Sequence, residues 1–78
     1  MLWIYARGQE SLRIETRVDK ETGEYVLIFY RDDGNQQTER FSDSDSFGNR
    51  LEVVERQLNL EDWHSEGPPT LLRDGWKI

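Results

Sequence analysis

Two apolar runs follow one another in the first half of the chain, LRIETRV at 12–18 and YVLIFY at 25–30. In the first run every second residue is apolar or threonine, which is the period of a half-buried β-strand. The six residues between the runs, DKETGE, are turn formers, and Gly23 among them accepts the positive φ that a four-residue hairpin loop requires. The pattern therefore predicts an antiparallel hairpin.

The hairpin loop fixes which side chains share a face of the sheet. A four-residue loop at 20–23 pairs Val18 with Tyr25, Thr16 with Leu27 and, further along, Ile14 with Phe29. We take this face as the core face. Because side chains alternate along a strand, Val26, Ile28 and Tyr30 must then point to the opposite face, together with Arg13, Glu15 and Arg17.

A second turn follows at Asp32-Asp33-Gly34. A three-residue loop with Gly34 in the left-handed region and a bulge places Phe41 on the core face, whereas a two-residue turn places it on the back. We favour the bulged form because the helix that follows needs an aromatic residue at its base. With a further strand upstream, the chain predicts a four-stranded meander with strands near 2–7, 11–18, 24–31 and 36–41.

After Ser42 the apolar period changes from two to between three and four. Phe47, Leu51, Val54 and Leu58 form the stripe of an amphipathic helix, which we place near 44–58 with Asp43 or Ser44 at its N-cap. Asn59 starts a separate short helix, or the first helix runs on to His64. In either case we expect Gly67 before two prolines to end it.

The predicted fold class is α+β: an antiparallel four-stranded β-meander, one main amphipathic helix on one sheet face, and an extended apolar C-terminal tail. Residues 1–67 are expected to form a single domain, and residues 68–78 to pack on that domain or on a partner. The predicted core comprises ten side chains: Leu12, Ile14, Val18, Leu27, Phe29, Phe41, Phe47, Leu51, Val54 and Leu58.

Composition narrows the function classes. The chain has 78 residues and no cysteine, which excludes a disulfide framework and a zinc ribbon and favours a cytoplasmic location. It shows neither a signal-peptide pattern nor an apolar run long enough to span a membrane, so we expect a soluble protein without a membrane partner. The net charge of −6 disfavours nucleic acid as a partner.

Candidate catalytic and metal-binding groups are few. His64 is the only histidine, and no cysteine lies near it to complete a site. Asp43 and Asp45 suit helix capping better than calcium binding, because their spacing lacks the glycine and the later glutamate of a calcium loop. We therefore expect neither enzyme activity nor a cofactor, and keep a small hydrolase or metal site near His64 as a distant alternative.

The face opposite the predicted helix is the best candidate for function, since contiguous apolar patches on soluble proteins commonly mark interaction sites. Either Trp3 and Tyr5 or Leu2, Ile4 and Ala6 should join β-strand residues 26, 28 and 30 there. The predicted interaction surface consists of Val26, Ile28, Tyr30, Trp3, Tyr5, Leu71, Leu72 and Trp76. The tail, a second copy of the chain or a foreign protein can cover it.

Two functional hypotheses follow. The first is a non-enzymatic module for protein–protein interaction or self-association, with a homodimer as one form. The second is an acidic regulator or inhibitor that blocks a basic, nucleic-acid-binding protein surface, because residues 43–66 carry seven acidic and only two basic side chains. A solvated helix face explains this acidity as well.

Overall fold

A computed structural model of the chain describes residues 1–67, and the predicted tail at 68–78 lies outside the described residues. The described part is α+β. Its strands are β1 (Leu2–Arg7), β2 (Glu10–Val18), β3 (Tyr25–Arg31), β4 (Gln36–Phe41) and β5 (His64–Ser65), and its helix is α1 (Ser44–Leu60). The four predicted strands and the predicted helix are confirmed.

All five strands form one antiparallel sheet in the order β4-β3-β2-β1-β5. Between β2 and β3, Val18 pairs with Tyr25 and Ile14 with Phe29, as the four-residue loop predicts. The Asp19 amide donates to the Glu24 carbonyl at 2.8 Å and closes that loop, in which Gly23 has a φ of 76°. The register of the first hairpin was therefore predictable from its apolar alternation and its loop glycine together.

The second hairpin adopts the bulged form. Gly34 has a φ of 87°, its amide donates to the Arg31 carbonyl, and the Arg31 amide donates to the Asn35 carbonyl. Phe41 consequently pairs with Tyr25 and lies on the core face, as predicted. A side chain at position 34 would have to adopt the left-handed region, which explains the glycine there.

The helix packs on the face that carries Leu12, Ile14, Leu27 and Phe29, and these residues form one buried cluster with Val54 and Leu58. Phe41, Phe47 and Leu51 pack against this cluster and are partly buried. The Phe47 ring stacks on Tyr25 at a centroid distance of 5.2 Å and tilts against Phe41 at 5.8 Å. Phe47 thereby fixes the first turn of α1 to β3 and β4.

Val18 does not belong to the core, contrary to the prediction. Its exposed fraction is 38%, although it lies on the helix side of β2. Val18 is the last residue of its strand, and Phe47 covers the neighbouring strands instead. A residue on the helix side of the sheet is thus not buried when it lies at a strand end that the helix does not cover.

The predicted end of the helix at Gly67 is wrong, as are both predicted extensions beyond residue 58. The helix ends at Leu60, and Asp62 adopts a φ of 63°. The Trp63 amide then donates to the Leu58 carbonyl at 2.9 Å, and the Asp62 amide to the Asn59 carbonyl at 3.3 Å. These bonds form a Schellman motif, which places Trp63 back onto the helix end.

Trp63 and the short β5 are consequences of this turn that the sequence analysis missed. Trp63 is only 8% exposed and belongs to the core cluster, and the Arg7 guanidinium lies 4.6 Å from the centre of its ring. The chain then returns to pair with β1, ending with a 2.8 Å bond from the Glu66 amide to the Ile4 carbonyl. Across residues 1–67, no helix is long and apolar enough to cross a membrane.

Candidate interaction surface

The face of the sheet opposite α1, called the back face here, brings together three of the predicted site residues. Val26, Ile28 and Tyr30 project from β3 on this side, as the confirmed register requires. On β2 they face Arg17, Glu15 and Arg13 in that order. On β4 they face Arg40, Thr38 and Gln36.

Trp3 and Tyr5 do not lie on the back face, contrary to the prediction. They pair with Ile14 and Leu12 of β2 and therefore share the helix face with those core residues. Both rings pack against the core cluster. Burial raises the pKa of Tyr5, and the negative charge of Glu55 on α1 adds to this effect.

The first strand contributes its alternate set to the back face instead. Leu2, Ile4 and Ala6 pair with Glu15, Arg13 and Ser11, which are back-face residues of β2. The sequence analysis left these two sets open, because the turn at Gly8-Gln9 alone does not fix the register of β1. Leu71, Leu72 and Trp76, the other predicted site residues, lie outside the described residues.

The centre of the back face is a buried apolar floor. Val26 is 4% exposed and Ile28 is 2% exposed, as low as the residues that the helix covers on the other side. In front of this floor lies a recess of about 600 Å³, walled by Arg17 and Val18, by the first hairpin loop, and by Gln36, Thr38 and Arg40 of β4. This volume is within the range of small-ligand pockets.

On the β2 side, the apolar floor is bordered by a polar network centred on Glu15, which is only 8% exposed. The Tyr30 hydroxyl donates to Oε1 of Glu15 at 2.7 Å, and Nε of Arg17 lies 3.4 Å from Oε2. The Arg13 guanidinium lies 5.4 Å from the centre of the Tyr30 ring. The hydrogen bond to Glu15, aided by burial and by the negative charge, raises the pKa of Tyr30.

The opposite wall is held by Arg40 of β4. Its Nη1 lies 3.0 Å from Oδ2 of Asp19 and 3.2 Å from Oε1 of Glu24, so one guanidinium links β4 to both ends of the first hairpin loop. The hydrogen bond from Arg40, followed by that from the Glu21 amide, lowers the pKa of Asp19. Three charged groups of the rim are thus paired within the chain before any ligand arrives.

Sequence reasoning did not assign Thr38 and Arg40 to this surface. The signal that identifies them was present, because the bulged turn at Gly34 fixes the face of every residue in β4. The burial of Glu15 was harder to predict from the sequence, since a charged residue on a half-polar strand is normally solvated.

His64 lies in β5, paired with Ala6, and is exposed. Within residues 1–67, no group of three or more His, Asp or Glu side chains is arranged to hold a metal ion. Asp43 is the N-cap residue of α1 and Asp45 lies in its first turn, although the Asp43 side chain makes no capping hydrogen bond. The predicted helix start is therefore confirmed in position.

The outward stripe of α1 bears on the hypothesis of an acidic regulator. At helical spacing it reads Asp45, Asn49, Glu52, Arg56 and Asn59, all of them exposed. Carboxylates, amides and a guanidinium thus share the stripe, and the exposed apolar side chains Val53 and Leu60 border it. Arg56 interrupts the negative charge of this stripe, whereas the other acidic side chains on which the hypothesis rests, Glu55, Glu61, Asp62 and Glu66, are also exposed.

Comparison with known proteins finds no family model that matches the chain, no similar curated protein and no similar solved structure.

Proposed function

We propose that this chain is a non-enzymatic interaction module that binds a short apolar segment of a partner protein in the recess of its back face. The observation that carries the proposal is the recess of about 600 Å³ that Val26 and Ile28 line at its base, inside a charged rim. Interaction sites commonly combine an apolar centre with a polar border.

The pairing of the rim defines the chemistry of the ligand. A charged ligand group that approached Arg17 or Arg40 would have to compete with Glu15, or with Asp19 and Glu24, for the same guanidinium. An apolar side chain meets no such competition, and it gains about 25 cal/mol for each Å² of apolar surface removed from water. At Arg17 and Arg40 the recess is therefore better suited to leucine, isoleucine or aromatic side chains than to acidic ones.

A second copy of the chain is a less suitable occupant. Two back faces packed on each other would bring Arg13 and Arg17 of both copies, four arginine side chains in all, into one interface. Desolvating charged groups that are already paired costs free energy without forming new pairs. Self-association through this face is the competing outcome of the test below.

The test is selection of a displayed library of random twelve-residue peptides on the full chain, followed by affinity measurement of the selected peptides. We expect enrichment of peptides with two or more large apolar side chains. Thr38→Arg, at an exposed position in the wall of the recess, should weaken their binding at least about tenfold by filling the recess. Asn49→Arg, an equally exposed polar position on α1, should leave binding unchanged.

Two results would overturn the proposal. The first is an absence of enrichment, or peptides that bind wild type and Thr38→Arg equally well. The second is a dimer of the wild-type chain in light scattering that Thr38→Arg converts to a monomer, which would assign the face to a second copy.

A further inference from the structure

The two edges of the sheet differ in how their backbone groups are used. On one side, β5 pairs with Tyr5 and Ala6 of β1, and the Glu66 amide donates to the Ile4 carbonyl. On the other side β4 is the last strand, and no strand within residues 1–67 pairs with its outer edge. An unpaired strand edge presents a row of backbone amides and carbonyls to which a further strand can bind.

The register of the second hairpin identifies the residues that carry these groups. The Arg31 amide donates to the Asn35 carbonyl, and in an antiparallel pair such bonds recur at every second position. On β4 the backbone groups of residues 37, 39 and 41 are therefore directed to β3. The amides and carbonyls of Gln36, Thr38 and Arg40 point away from β3, and all three residues are exposed.

β4 has few of the features that usually protect an edge strand from pairing. Its sequence, QQTERF, contains neither proline nor lysine. Its two charged side chains are already paired inside the chain. Arg40 is paired with Asp19 and Glu24. Glu39 is paired with Arg50 of α1. A strand that approaches this edge therefore meets no unpaired charge on β4.

A cavity lies on each side of the same edge. On the back face, Gln36, Thr38 and Arg40 form the β4 wall of the recess. On the helix face a groove of about 280 Å³ lies between α1 and the sheet, and Gln37 of β4 and Val53 of α1 both line it. Val53 is an apolar side chain that is 48% exposed. Because side chains alternate along a strand, a strand beside β4 would direct them to these two cavities in turn.

We infer that the partner segment binds as an added strand along the outer edge of β4, an inference that rests on the proposed function. The backbone of the segment pairs with the outward amides and carbonyls of β4, and its side chains confer the specificity. Thr38 is the shortest of the three wall side chains, so a large apolar side chain beside it extends over it towards Ile28. The alternate side chains lie beside Gln37 and contact Val53. The segment is therefore extended, with apolar residues at every second position.

Amide hydrogen exchange measured by NMR tests the pairing directly. In the free chain we expect fast exchange at Gln36, Thr38 and Arg40 and slow exchange at Gln37 and Glu39. Addition of a selected apolar twelve-residue peptide should slow exchange at the first three amides at least about tenfold. A bound peptide that leaves their exchange unchanged would overturn the inference. Protection of the three amides in the free chain that grows with protein concentration would also overturn it, because it would assign the edge to a second copy.

A proline variant tests the same contact through affinity. Thr38→Pro removes one outward amide and no bond between β4 and β3, and an edge strand tolerates proline at such a position. The variant should keep the circular dichroism spectrum of the wild type and bind the selected peptides at least about tenfold more weakly. Thr38→Val keeps the amide and the branched shape, so this matched control should bind like the wild type. Equal peptide affinity of Thr38→Pro and wild type would contradict the added strand.

The failure of this inference is distinguishable from the failure of the proposed function. Peptides that bind without protecting the β4 amides would refute the added strand and leave an apolar interaction site in place. Selected peptides with apolar residues at spacings of three and four would do the same, since that period indicates a bound helix. If selection enriches no apolar peptide, the proposed function fails, and the added strand fails with it.

Discussion

Replacement of Ile28 by alanine tests whether the back face is a second buried layer. The substitution removes three carbon atoms from a side chain that is 2% exposed. At about 0.8 kcal/mol for each buried methylene, the lost transfer free energy is about 2.4 kcal/mol. The cavity left behind adds to this, so we expect a loss of about 2.5 to 4 kcal/mol in the free energy of unfolding. A domain of 78 residues has a total stability of about 4 to 12 kcal/mol, so the loss is a large part of it.

The assay is urea unfolding followed by circular dichroism. With a denaturant slope of about 1 to 1.5 kcal/mol per molar, the midpoint should fall by about 2 to 4 M. Thr38→Ala is the matched control, because Thr38 lies directly opposite Ile28 on β4 and is exposed. It reports the strand propensity of alanine alone, which is worth at most about 1 kcal/mol. If Ile28→Ala costs no more than Thr38→Ala, the back face is open to water and the reasoning fails.

Three further predictions concern the rest of the fold. Asp62→Gly should stabilise the chain by about 0.5 to 1 kcal/mol, because the φ of 63° at this position is less favourable for a residue with a side chain than for glycine. Thermal unfolding measures the gain, and Asp62→Ala, the control, should bring none. Arg50→Met should lower the free energy of unfolding in urea by about 1 kcal/mol, since Nε and Nη2 of Arg50 donate to the two carboxylate oxygens of Glu39 at 2.7 and 2.9 Å. An unchanged unfolding midpoint would contradict this prediction. Hydrogen bonds from the Ser11 hydroxyl and amide lower the pKa of Asp32 from its ordinary value of 3.8. The contribution of Asp32 to stability is therefore present above pH 3.8 and is lost as the pH falls through the pKa of the folded state. Ser11→Ala should raise the pKa of Asp32 in a carboxyl NMR titration.

The sheet was predictable because two independent signals agreed along most of its length. Apolar alternation assigned the faces of β2, and the glycines at 23 and 34 fixed the lengths of the two hairpin loops. The registers of β2 with β3 and of β3 with β4 followed from these two signals together. For β1 only the alternation was available, and two sets of residues satisfied it. The misplacement of Trp3 and Tyr5 came from this missing second signal.

The end of the helix was not predictable in the same way. Gly67 before two prolines is a strong terminating pattern, whereas Asp62 in the left-handed region is an uncommon choice for the same role. The earlier stop is favoured because it brings the Trp63 ring into the core beside Leu58. Burial of so large an aromatic side chain is a tertiary effect that exceeds the local preference at residue 62.

The composition of β3 connects the fold to the proposed site. Strands that are buried on both faces read as continuous apolar runs, whereas strands buried on one face alternate. Val26, Leu27, Ile28 and Phe29 are four consecutive apolar residues, each no more than 7% exposed, while β4 beside them reads QQTERF and has no fully buried side chain. One layer over β3 is α1. On the opposite face, Val26 and Ile28 lie between the side chains of β2 and β4, and in the proposed function these polar walls limit the occupant to something narrow. A short apolar segment satisfies both conditions, whereas a second sheet or a whole domain would also have to desolvate Arg13, Arg17 and Arg40.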